Sequence, residues 1–203
     1  MKKTDKLILG EQIIKFFKEE LDKYAENSIE EEWREFKQHL KIVSYEKGSV
    51  IFPHSKVCVD MLFISKGIVV TEYFNENEQT ITRFFRSKNL CSNISSFLTR
   101  KVVNDVVSAV TYTEGILIPQ VLFNKSYLYS NGIGLYFRKR LLENLLEDKM
   151  FISIKAMGID TKLDFLYSQY PEIINQVSWK KIANFLGVTP QWLSKKLNIR
   201  NSK

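Results

Sequence analysis

The run Ser178-Trp179-Lys180-Lys181-Ile182-Ala183-Asn184-Phe185-Leu186-Gly187-Val188-Thr189-Pro190-Gln191-Trp192-Leu193-Ser194-Lys195-Lys196-Leu197-Asn198-Ile199-Arg200 decides how the rest of the chain is read. It predicts two short helices joined by a tight turn. Ser178 is placed to N-cap the first helix. Gly187 stands where that helix stops and the backbone needs a left-handed residue. Thr189-Pro190 is a start signal: a capping hydroxyl, then a residue with a preset φ and no amide hydrogen to satisfy. Ala183 offers a small side chain where the second helix must cross closely. Ile182, Leu186, Val188, Leu193 and Leu197 supply an apolar seam. This is the pattern of a DNA-binding helix-turn-helix. The plainer alternative is a helical hairpin with a solvated basic face.

Charge favours the first reading. No acid follows Glu172, whereas Lys180, Lys181, Lys195, Lys196, Arg200 and Lys203 do, in a chain whose net charge is +7. Nearly all of the excess positive charge therefore sits on this module, as a binder of phosphate backbone requires.

The 203 residues suit one large or two small domains, and 44% hydrophobic content can bury a sizeable core. Met1-Lys2-Lys3 leads into charged residues, so no secretory leader is expected. No run approaches the roughly 18 apolar residues of a membrane span, and a cytoplasmic protein with no membrane partner is expected. Cys58 and Cys91 have neither CxxC spacing nor a Cys/His cluster around them and read as buried free thiols. His39 and His54 lack partner spacing, so no metal or other cofactor is expected. The sequence shows no nucleophile–base pair and no glycine-rich phosphate loop, which argues against an enzyme.

In chain order, Lys6–Tyr24 and Ile29–Leu40 read as amphipathic helices, the second opened by a capping box at Ser28-Ile29-Glu30-Glu31. Their dense acids, among them Glu19, Glu20, Asp22, Glu32 and Glu35, read as a solvated face or, alternatively, as a partner surface. From Lys41 the period changes to short β-branched and aromatic runs: 42–45, 50–52, 59–65, 68–74, 80–85, 106–112 and 115–119. Turn signals such as Lys47-Gly48 and Lys66-Gly67 separate them, which implies an antiparallel sandwich or barrel. One helical turn is expected over Asn93–Thr99. Val121–Ser130 reads as a short transition. Ile133–Met157 is a long helix with apolar residues on more than one side, enough for its own domain and a second copy. Gly158 and Asp160 break it, and Thr161–Tyr170 is a further helix ended by Pro171.

This order of elements resembles the Crp/Fnr family of bacterial transcription regulators. Ser44-Tyr45-Glu46-Lys47-Gly48-Ser49-Val50-Ile51-Phe52 and Met61-Leu62-Phe63-Ile64-Ser65-Lys66-Gly67 are similar to the opening strands of a cyclic-nucleotide-binding β-roll. Ile182 to Ser194 resembles the family's compact helix-turn-helix, in which a Thr-Pro pair opens the recognition helix. The implied fold class is α+β: an N-terminal antiparallel, jelly-roll-like β-roll with flanking helices, a long dimerisation helix and a C-terminal helix-turn-helix domain. The expected bounds are 1–130 for the sensor, 131–158 for the connecting helix and 159–203 for the DNA-binding domain. The implied partners are double-stranded DNA, a second copy of the chain, RNA polymerase and an unknown small-molecule effector.

The resemblance also implies an effector pocket, and there the sequence departs from the family. Ser92 and Asn93 stand at the family's glycine and ribose-binding acid, Val103 stands at the phosphate-binding arginine, and Asn104 lies beside it. A cyclic phosphate would meet no guanidinium and the nearby carboxylate of Asp105, a costly burial of charge. Lys101 is the one substitute cation. Ser92, Asn93 and Asn104 are thus candidate pocket residues for a ligand other than cyclic AMP. On the recognition helix, Gln191, Ser194 and Lys195 fall on one stripe and suit base edges. Thr189, Lys180, Lys196 and Arg200 suit phosphates. Trp192 is counted among the DNA-binding residues, either as a wall against the sugar backbone or as a core residue, with a partly buried role expected.

Overall fold

The computed structural model describes residues 3–25, 29–75 and 78–201, with side chains described over 8–25, 29–74 and 79–198. Ser28 of the expected capping box lies outside the described residues. The short runs become β1 (Lys41–Tyr45), β2 (Val50–Phe52), β3 (Asp60–Lys66), β4 (Val69–Asn75), β5 (Glu78–Phe85), β6 (Leu90–Cys91), β7 (Asp105–Ala109) and β8 (Thr113–Pro119). Among the described residues they form two four-stranded antiparallel sheets, β1-β8-β3-β6 and β2-β7-β4-β5. Together they make the expected jelly-roll-like β-roll.

The two N-terminal helices, α1 (Lys3–Asp22) and α2 (Glu30–Phe36), cover one end of the roll. Their inward residues recur at helical spacing: Ile13, Phe17 and Leu21 on α1, and Ile29, Trp33 and Phe36 at α2. Phe17 is the hub, with its ring 4.5 Å from Phe63 of the roll and 5.9 Å from Tyr136. The acids of this region are not simply solvated. Glu20 is buried and pairs with Lys23 and Lys88. Glu32 accepts hydrogen bonds from Ser130 Oγ at 2.6 Å and from the Ile133 amide at 3.2 Å.

Asn93 N-caps α3 (Ile94–Thr99). The expected transition after the roll is instead a helix, α4 (Gln120–Tyr129). Its pattern is inverted. Gln120, Phe123 and Ser126 face inward, whereas Val121, Leu128 and Tyr129 are exposed, so the apolar period is hidden. Then comes α5 (Ile133–Lys155), whose N-terminus receives the Glu32 carboxylate, as the helix dipole favours.

The remaining helices are α6 (Ile159–Gln169), α7 (Pro171–Gln176), α8 (Trp179–Leu186) and α9 (Pro190–Asn201). Pro171 ends α6 and also opens α7, where its missing amide hydrogen costs nothing. The C-terminal helices do not build their core alone. Leu163, Ile173, Ile182, Phe185 and Leu193 share one apolar cluster with Ile68, Val70, Ile81, Phe84 and Val110 of the roll. A shift in the β4–β5 register between Thr71 and Glu72 makes this possible. The bulge turns Ile81 toward the C-terminal helices, on the same side as Phe84, and leaves Arg83 and Phe85 facing α5.

Candidate nucleic-acid interface

Local chemistry sets the geometry of the C-terminal pair of helices. Ser178 accepts a hydrogen bond from the Lys181 amide and starts α8. Gly187 ends that helix at φ 71°, a conformation that penalises any side chain. Thr189 Oγ1 accepts from the Trp192 amide at 3.2 Å and starts α9. Ala183, Leu186 and Leu193 are buried between the helices, and Leu197 is 8% exposed. Burial of each leucine contributes roughly 1.5–3 kcal/mol.

The outer face of α9 carries Pro190, Gln191, Ser194, Lys195 and Asn198 side by side around a shallow, open concavity. Gln191, Ser194 and Lys195 are all exposed. Asn198 belongs to the same stripe, four residues after Ser194, and the sequence reading passed over it although its spacing signals the face. Thr189, just before α9, and Lys180, in the first turn of α8, are also exposed. Trp192 is 44% exposed and stands between core and surface. Lys196 is partly covered and pairs with Asp160 at 2.8 Å. The side chain of Arg200 lies outside those described.

Lys181 turns the other way. Its ammonium meets Glu72 of β4 at 2.7 Å. Asn184 on α8 accepts from the Ile81 amide at 2.6 Å and donates to the Gln79 carbonyl at 2.7 Å, on the outer edge of β5. Phe185 packs edge-on against Phe84, with centroids 5.0 Å apart. Arg86 stacks over Tyr170 and pairs with Glu172. The module is thus docked on the roll through α8 while α9 faces outward.

A second candidate feature is a cavity of about 730 Å³ between the roll, α3 and α5. Ser92 and Asn93 line it, and Asn104 does not. Both lining residues are already engaged. Ser92 Oγ donates to the Asp60 carbonyl at 3.2 Å, and Asn93 Nδ2 donates to the Asp105 carbonyl at 2.9 Å. Lys101 is exposed and lies outside the lining. The cavity wall holds two cations that sequence reasoning missed, Lys155 of α5 and Arg83 of β5; a lone arginine two residues from Phe85 in a strand is the signal for Arg83. Arg83 is 7% exposed, stacks on Phe85, and reaches Glu147 and Asp148 of α5 at 2.7 Å each.

On α5 the face toward the roll buries Ile133, Tyr136, Phe137, Phe151 and Ile154. The opposite face leaves Leu142 and Leu146 exposed, at 58% and 60%, while Leu145 and Ile152 are exposed at the rim of the cavity. Among the described residues no helix is long and apolar enough to cross a membrane.

No family model and no curated protein matches the sequence. Solved structures do match. A protein from Eubacterium rectale, described as a transcriptional regulator of the Crp/Fnr family, superposes at TM-score 0.67 with 15% identity over 85% of this chain and 83% of its own. FixK2 from Bradyrhizobium japonicum gives 0.65 at 12% identity, covering 80% and 85% of the two chains. The c-di-GMP-responsive regulator CLP from Xanthomonas campestris gives 0.61 at 17% identity, covering 83% and 90%. With β-roll, long helix and helix-turn-helix in the same order, this chain has the fold of the Crp/Fnr transcription regulators.

Proposed function

We propose that the chain is a sequence-specific, DNA-binding transcription regulator that works as a homodimer. One observation carries the reading. The outer face of α9 presents Gln191, Ser194 and Lys195 exposed on a single stripe, in a segment without acids after Glu172. Glutamine and lysine suit adenine and guanine edges. Lys180 and Thr189 flank that stripe and suit phosphates, with Lys196 and Arg200 further along the helix. We assign residues 1–130 to sensing, 131–158 to the connecting helix and 159–203 to DNA binding. The exposed leucines of α5 support pairing with a second copy. Two recognition helices would then read a near-palindromic site with half-sites ~34–36 Å apart. RNA polymerase is a further partner in this reading.

Selection of bound duplexes from a random DNA pool, with and without cell extract, tests it. A palindromic consensus is the expected outcome. Recovery of sequences without a common motif, at every extract condition, would overturn sequence-specific regulation.

The cavity favours a second element, a sensing role for a ligand other than cyclic AMP. Ser92 and Asn93 are spent on the protein's own hydrogen bonds, and Arg83 is already held by two carboxylates. Lys155, the other cation of the wall, donates to the Ile81 carbonyl, so neither cation stands unengaged for a cyclic phosphate. CLP responds to c-di-GMP, so one fold serves more than one effector chemistry.

A further inference from the structure

The cavity beside α5 has four charged side chains in its wall: Arg83, Asp105, Asp148 and Lys155. Three of them are satisfied from within. The Arg83 guanidinium donates to Asp148, Glu147 and both oxygens of Asn144. Lys155 donates to the Ile81 carbonyl at 3.2 Å and lies over the Phe185 ring. Asp148 is held by Arg83. Asp105 differs: among the described residues neither a cation nor a hydrogen-bond donor reaches its carboxylate. Asn93 touches only its backbone carbonyl. Burial pushes its carboxyl above the ordinary range, with no neighbouring charge to bring it down.

The rest of the wall is mainly apolar, including Met61, Phe85, Leu90, Leu141 and Phe151. One further group is unsatisfied. Arg83 Nε has no hydrogen-bond partner, but it is sealed from solvent and so from the cavity. An anion entering here would face Asp105 and Asp148 and find both cations engaged. A cation would find an unpaired carboxylate in a partly desolvated, apolar setting, where such pairing is strongest.

We propose that this cavity binds a small cationic ligand, a protonated amine on a mainly apolar body, with its ammonium on the Asp105 carboxylate. The inference rests on the sensing role proposed above and names the ligand's chemistry.

The test uses three probes of matched shape on the full-length chain: 4-phenylbutylamine, 4-phenylbutanol and 4-phenylbutyrate, titrated by calorimetry without DNA. The amine should bind about tenfold tighter than the alcohol, and the carboxylate should bind weakest. Asp105→Asn should reduce the amine to the level of the alcohol and leave the alcohol unchanged. Binding of the carboxylate as tight as that of the amine overturns the inference and leaves a sensing cavity standing. So does an amine affinity indifferent to Asp105→Asn in a variant that remains fully folded at the temperature of the titration. No binding of any probe up to about 10 mM, an affinity weaker than ~3 kcal/mol, overturns both. The order of the three probes on the unmodified chain decides the matter without relying on a variant.

Discussion

Lys181 of α8 and Glu72 of β4 meet at 2.7 Å, although 109 residues separate them, and the carboxylate is nearly sealed from solvent. A basic residue of the C-terminal helix pair is thereby committed to the roll.

Lys181→Met should therefore destabilise the chain more than Lys180→Met, because it leaves Glu72 buried without its cation. The expected difference is roughly 1–3 kcal/mol in urea unfolding. Adding Glu72→Gln to Lys181→Met should restore part of it. Two equal single-variant losses that simply add would show that the pair is not coupled.

The exposed stripe on α5 predicts the oligomeric state. Leu142→Glu with Leu146→Glu should give monomers in sedimentation, with the near-ultraviolet spectrum of the roll unchanged. A monomeric unmodified chain at micromolar concentration would refute pairing through this face.

On DNA, Lys180 and Gln191 should fail differently. Lys180→Ala should weaken binding to all sequences about equally and lower the salt slope by roughly one unit. Gln191→Ala should leave the slope nearly unchanged and lose ~1–3 kcal/mol of discrimination at one position of each half-site. A uniform loss with Gln191→Ala would mean that α9 is rotated in the groove, with Trp192 and Lys196 nearer its floor.

Cyclic AMP should show no calorimetric binding up to ~1 mM, the level at which binding is worth about 4 kcal/mol. Micromolar affinity would mean that Arg83 leaves Glu147 and Asp148 to receive the phosphate.

Asp105 also predicts a pH dependence. Its folded carboxyl titrates above its unfolded value, so the folded state binds the proton more tightly. The charged form costs stability at neutral pH, and that cost fades as pH falls through the raised value toward the ordinary carboxylate range. Asp105→Asn should raise the melting temperature at neutral pH, with a gain that shrinks on acidification. A gain constant across that window would mean that the carboxyl is not desolvated.

Much of this was legible in the sequence. Ser178, Gly187 and Thr189-Pro190 act locally, so their caps and turn read directly from residue type. The strand runs also read well, because β-branched and aromatic residues cluster between clear turn signals. What escaped was non-local or inverted. β6 has two residues, too few for any alternation. In α4 three apolar residues, Val121, Leu128 and Tyr129, point outward while Gln120 and Ser126 point in. The bulge opposite Thr71 and Glu72 swaps the face of Ile81, so simple alternation could not place it beside α8. The family's phosphate-binding cation would stand at Val103, whereas the cavity's arginine is Arg83 on β5. Its fixed position depends on α5, some sixty residues away, which no local pattern reports.

The grip of Asn184 on β5 has a consequence for solubility. β5 is the last strand of its sheet, and its outward amide and carbonyl at Ile81 and Gln79 are occupied by that one side chain. Any state in which α8 swings clear of the roll bares a strand edge, the template on which other chains add as strands. Such a state would be prone to aggregate. Asn184→Ala, which removes the cover without touching the core, should hasten thioflavin-positive aggregation at concentrations where the unmodified chain stays clear.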